Sequence, residues 1–98
     1  MIGIVTEQNG QVCIFDDKNR SLGSIILGGG KLAGFNSKCV CIEKGSRVLI
    51  YDDKKRQTAN IPLNGGEFYG CADKIMIKNG KTLTLYDERG RKTGTKFI

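Results

Sequence analysis

Three acidic pairs, Asp16-Asp17, Asp52-Asp53 and Asp87-Glu88, are the first residues in this chain whose types suggest chemistry. Adjacent carboxyls suit general acid–base work when one of them sits in a dry pocket with a raised pKa. Each pair here runs into basic residues: Lys18 and Arg20, then Lys54, Lys55 and Arg56, then Arg89, Arg91 and Lys92. Such neighbours keep carboxylates ionised and solvated. The first Asp of each pair is expected to cap a turn backbone, as Asp side chains do. The chain has no histidine, which excludes Ser-His-Asp, Cys-His and histidine–metal schemes. These readings predict no catalytic residue and no enzyme.

The four cysteines, Cys13, Cys39, Cys41 and Cys71, all fall in stretches that read as strands. A register step of 36 sets Cys39 opposite Ile75 and Cys41 opposite Ile77, so the thiols read as small buried hydrophobes. Zinc is the sharper alternative, but C-x-C without C-x-x-C spacing is a weak signal. Neither a metal site nor a cofactor is expected. Gly28-Gly29-Gly30-Lys31 has a phosphate-loop flavour, yet lacks the GxxxxGK[ST] spacing and the following helix. Its counterpart Asn64-Gly65-Gly66-Glu67 reverses the charge at the lysine. A glycine kink between units explains it better, and Gly29, Gly30 and Lys31 remain a rim to test.

A net charge of +6 raises the question of nucleic acid. The candidate rim is Lys54, Lys55, Arg56, Arg89, Arg91 and Lys92. Phosphate binding needs unneutralised charge, and base stacking needs exposed aromatics. The acidic pairs dilute the first, and Phe15, Tyr51 and Tyr86 sit inside strands.

What positions all these residues is a threefold repeat. Val12-Cys13-Ile14-Phe15-Asp16 returns as Val48-Leu49-Ile50-Tyr51-Asp52 and as Leu83-Thr84-Leu85-Tyr86-Asp87, at steps of 36 and 35. A fixed period of this length marks one small unit copied in series. The missing residue is expected near the Lys44-Gly45 and Asn79-Gly80 turns, since hairpin tips tolerate length changes. Each unit reads as four short strands, in the second copy near Leu32–Asn36, Lys38–Glu43, Arg47–Asp52 and Gln57–Leu63. Asn9-Gly10 and Asn79-Gly80 read as type I′ hairpin turns. Val12/Ile14, Val48/Ile50 and Leu83/Leu85 face one way, and Phe15, Tyr51 and Tyr86 the other, so both sheet faces should be covered. The first unit lacks its opening strand, and that unpaired edge predicts self-association.

Two families share this layout. The Val48–Asp52 strand, followed by a polar turn and a small-residue strand, resembles a β-propeller blade. Such blades have four strands and pack face to face. Three cannot close a ring, so this resemblance implies two chains giving six. The three copies also resemble the β-prism of monocot mannose-binding lectins. That likeness runs through the Tyr51-Asp52 strand and the small-residue steps Leu22-Gly23-Ser24, Thr58-Ala59-Asn60 and Thr93-Gly94-Thr95. That family's sugar motif is Q-x-D-x-N-x-V-x-Y. The second copy has Glu43, Gly45, Arg47, Leu49 and Tyr51 at those positions, so the resemblance implies the scaffold and not mannose binding. A β-trefoil is a third option, for which 36 residues is a short repeat.

The expectation is therefore one all-β domain over 1–98, with three four-stranded antiparallel units of about 36 residues near 1–27, 28–63 and 64–98. No apolar run is long enough to span a bilayer and no signal peptide opens the chain, which suggests a cytoplasmic protein without a membrane partner. The expected role is non-enzymatic binding or scaffolding as a homo-oligomer, a dimer first of all. Carbohydrate or other small-ligand binding stands second, and nucleic-acid binding third.

Overall fold

The computed structural model describes all 98 residues, and they form eleven β-strands and no helix. The strands are β1 (Ile2–Gln8), β2 (Gln11–Asp16), β3 (Ser21–Ile26), β4 (Lys31–Phe35), β5 (Cys39–Lys44), β6 (Arg47–Asp52), β7 (Gln57–Pro62), β8 (Glu67–Cys71), β9 (Ile75–Asn79), β10 (Thr82–Tyr86) and β11 (Lys92–Phe97). They make three antiparallel sheets in chain order, β1-β2-β3, β4-β5-β6-β7 and β8-β9-β10-β11. The first sheet holds three strands and each of the others four. Its β1 hydrogen-bonds to β2 alone and is an edge. No helix is long and apolar enough to cross a membrane.

Tight turns give the chain this shape. Asn9 and Gly10 both take positive φ, at 52° and 75°, which is the type I′ geometry that Asn-Gly supports. The equivalent hairpin in the third sheet departs from expectation. Asn79 ends β9 and pairs with Thr82, so Gly80-Lys81 forms the tip. Only Gly80 has a positive φ, as in a type II′ turn.

The pairing also moves the deletion between copies two and three. Gly34 pairs with Cys41 and Gly70 with Met76, while Cys41 pairs with Ile50 and Met76 with Leu85. Met76 is thus the counterpart of Cys41, one step short of Ile77. The lost residue lies between β8 and β9, where Ala72–Lys74 replaces the longer Asn36–Lys38 turn with Cys39. The expected matches of Cys39 with Ile75 and Cys41 with Ile77 are therefore wrong. Ile75 and Ile77 stand in the places of Val40 and Ile42. The hairpin tip keeps its length because both versions close on two residues. The slack is absorbed in the first connection of the unit.

Side chains sort into two separate apolar clusters. Val12, Ile14, Ile25 and Leu27 of the first sheet pack against Val40 and Ile42 of the second. Val48, Ile50, Ile61 and Leu63 on the opposite face of the second sheet pack against Ile75 and Ile77 of the third. The middle sheet is covered on both faces, as its two-sided apolar pattern requires. Neither cluster joins the first sheet to the third. Between sheets, the backbones of β4 and β8, each the opening strand of its unit, run closest together. The molecule is a row of three sheets, 39 Å along its longest axis.

Candidate functional site

The acidic pairs build turns. Asp52 Oδ1 accepts the N–H groups of Lys54 and Arg56, both at 2.9 Å, and Oδ2 accepts Arg56 Nε–H at 3.0 Å. The same three bonds recur at Asp16 with Lys18 and Arg20, and at Asp87 with Arg89 and Arg91. Asp16 and Asp87 lie below the usual carboxylate range because backbone N–H donors favour the ionised form, first Arg20 and first Arg91. At Asp52 burial works upward and is outweighed by the same donors. A carboxylate held this way is an acceptor and a poor proton donor. The capping expectation stands on these bonds.

The third residue after each Asp has a positive φ: Asn19, Lys55 and Gly90. This bend lays the second and third turns on the preceding sheet. Lys55 extends over Gly23 in β3, and Gly90 sits against Ala59 in β7. Thr58 Oγ1 donates to the Glu88 carbonyl at 2.6 Å, tying turn to strand again.

The candidate basic residues fall within this framework. Arg56 and Arg91 are ion-paired to Asp52 and Asp87. Lys54 and Arg89 give backbone N–H groups to those carboxylates, and Lys92 opens β11. The second and third turns flank an open cleft of about 470 Å³ lined by Asp52, Arg56, Gln57, Thr58, Glu88 and Arg89. It contains no hydrophobic side chain, so it offers no platform for a base or a sugar ring. Gly29, Gly30 and Lys31 lie at the opposite ends of the strands, beside the hairpin tips. Leu27 N–H donates to Gly10 there, and Gly30 N–H to Leu27. Gly28 and Gly29 both have positive φ, the geometry of a tight connection. The two sets of candidates are not brought together.

Three cysteines are brought together. Cys39 and Cys41 in β5 point from the second sheet toward the third, and Cys71 ends β8 facing them. Their Sγ atoms all lie within 4.8 Å of one another. Cys39 and Cys41 are 1% and 0% exposed, and Cys71 is half-buried. Asn36 organises the edge of the cluster. Its Oδ1 accepts Lys38 N–H, Cys39 N–H and the Cys39 thiol at 2.8, 2.9 and 3.4 Å, and its Nδ2 donates to the Ala72 carbonyl at 2.8 Å. Hydrogen bonding from Cys39 and then Cys41 lowers the Cys71 thiol, against burial. The Cys41 thiol is pushed up, by Cys39 first, then by Cys71 and burial.

Sequence spacing hides this triad because β8 is far along the chain and C-x-C is only two of its three members. The matching positions between the first two sheets hold Ile2, Val5 and Phe35, so the thiols distinguish one interface from its twin.

The outer faces of the end sheets are the remaining surface of note. On the third sheet Met76, Leu83 and Leu85 occupy the places of Cys41, Val48 and Ile50. They line a shallow groove of about 210 Å³ with Lys74 and Lys96 beside it. On the first sheet Ile4 and Phe15 occupy the places of Val40 and Tyr51, and Ile4 is 47% exposed. Comparison with protein-family models, curated proteins and solved structures returned no match to this chain.

Proposed function

We propose that this chain is a non-enzymatic assembly module whose sheets are propeller blades, and that a second copy covers its two end faces. The observation that carries the reading is the division of the core into two clusters. A β-prism of three sheets shares one core about its axis. This chain stacks its sheets in a row, and the middle one uses both faces. The end faces repeat the residues that the interior already matches: Met76, Leu83 and Leu85 copy one side of an inner interface, while Ile4 and Phe15 copy the other. A head-to-tail contact of one end face with the other is heterologous, and it closes into a ring when the rotation per sheet divides the circle. Two chains of three sheets make six, inside the ordinary range of four to eight blades.

A face that repeats one side of an inner interface is shaped to meet, in a second copy, the face that repeats the other side. Light scattering at micromolar concentration should give twice the chain mass of 10.7 kDa. Leu85→Lys places a charge in the third sheet's outer face and should return the mass to one chain, without loss of strand signal in circular dichroism. A wild-type chain that stays monomeric throughout that range would refute the assembly.

A further inference from the structure

We infer that Cys39, Cys41 and Cys71 form a three-sulfur site for a soft, thiophilic metal ion, with copper(I) the ion whose coordination fits it. Thiolate sulfur selects copper(I), zinc and iron–sulfur centres over hard ions. The chain has no histidine, and no carboxylate joins the three thiols in the group. A structural zinc ion takes four protein ligands in a tetrahedron, and this site offers three. Copper(I) is content with three sulfurs in a plane.

Geometry is close to what a bound ion needs. Points no more than 4.8 Å apart share a centre within about 2.8 Å of each, against ~2.3 Å for a metal–thiolate bond. A contraction of about half an ångström per sulfur closes the gap, within reach of side-chain rotation. The ligands stand on two different sheets, and Asn36 fixes the turn beside them from both sides. Cys39 and Cys41 sit among Val48, Ile50, Ile61 and Ile75, which keeps water from competing. Cys71 is half-buried and gives the ion a way in.

Loading forms three metal–sulfur bonds and breaks three S–H bonds, whose protons pass to solvent. Copper enters and stays as copper(I), so no electron is transferred. Affinity therefore rises with pH until the thiols are ionised. The ion would also join the second sheet to the third, adding a link that the first interface lacks.

The test is an anaerobic titration of the reduced full chain with copper(I), in competition with bathocuproine disulfonate, followed by X-ray absorption. The proposal expects one ion per chain and three sulfur neighbours near ~2.3 Å. Cys71→Ala should weaken binding at least ~100-fold and Asn36→Ala about tenfold. Cys41→Val serves where alanine would leave a hole, because Val5 fills the matching position in the first sheet. Cys13→Ala, on the first sheet, should bind as the parent does. The Leu85→Lys variant should also retain the site, which separates this proposal from the assembly. Copper(I) held equally well by Cys71→Ala would overturn it. So would zinc binding one to one by a chain that takes up no copper(I).

Discussion

Asp52 uses both carboxylate oxygens on its own turn, and the consequence can be measured. Asp52→Asn keeps the size of the side chain but puts an NH2 where one oxygen accepts, either toward the two N–H groups or toward Arg56. The expected loss is about 1–2 kcal/mol of unfolding free energy by urea titration, in the range for bonds to a charged group less exposure. The acid limb follows from the same bonds. Asp16, Asp52 and Asp87 are all lowered from an ordinary value of 3.8. Their folded forms therefore hold protons less well than the unfolded chain. Their contribution is complete above pH 3.8 and is lost as the pH falls through the lowered values. Stability attributable to these turns should stay level from pH 8 to about 5 and decline below 4. The slope of that decline should shrink in Asp52→Asn, and an unchanged acid limb would show that the turn bonds contribute nothing.

At the scale of strands and turns, period and alternation carry most of the information. Val12/Ile14 and Val48/Ile50 are buried as their spacing implies, and the strand order follows from short turns between neighbours. What the residues did not disclose was register. Lys44-Gly45 and Asn79-Gly80 look like the natural place for a deletion, but each tip needs two residues to reverse the chain. The longer Asn36–Cys39 connection had the slack to lose one. That single step decides which of Cys41 and Val40 matches Met76. The thiol triad was invisible because sheet-to-sheet packing has no local signature. The glycines of the turns can be separated in the same physical terms. Gly45 and Gly90 both take positive φ, but a Cβ at Gly45 meets open space while one at Gly90 meets Ala59 Cβ at 2.8 Å. Gly45→Ala should cost ~1 kcal/mol in backbone strain. Gly90→Ala should cost about 1–3 kcal/mol more, because the third turn must lift from β7. Equal losses by urea unfolding would mean that the turn does not bear on the strand.

For the whole molecule, the question is what a row of sheets does with its ends. Each inner sheet face is stabilised by a partner, and burying one isoleucine or leucine side chain contributes about 1.5–3 kcal/mol. Met76 and Leu85 at one end, with Ile4 and Phe15 at the other, forgo part of that in a single chain. If a second copy covers them, assembly and folding are linked: the native form is a dimer and the unfolded form a monomer. Dilution then favours unfolding by mass action. The thermal midpoint should rise by several degrees between 1 and 100 μM chain, a span worth about 2.7 kcal/mol of chemical potential for a species binding only the folded state. Leu85→Lys should remove the dependence and leave a midpoint fixed with concentration and below that of the parent. Ile4→Lys should do the same from the opposite end of the row, since a head-to-tail ring needs both faces at every joint. A variant at one end that stays dimeric while the other becomes monomeric would contradict the ring, because each joint is made of one face of each kind.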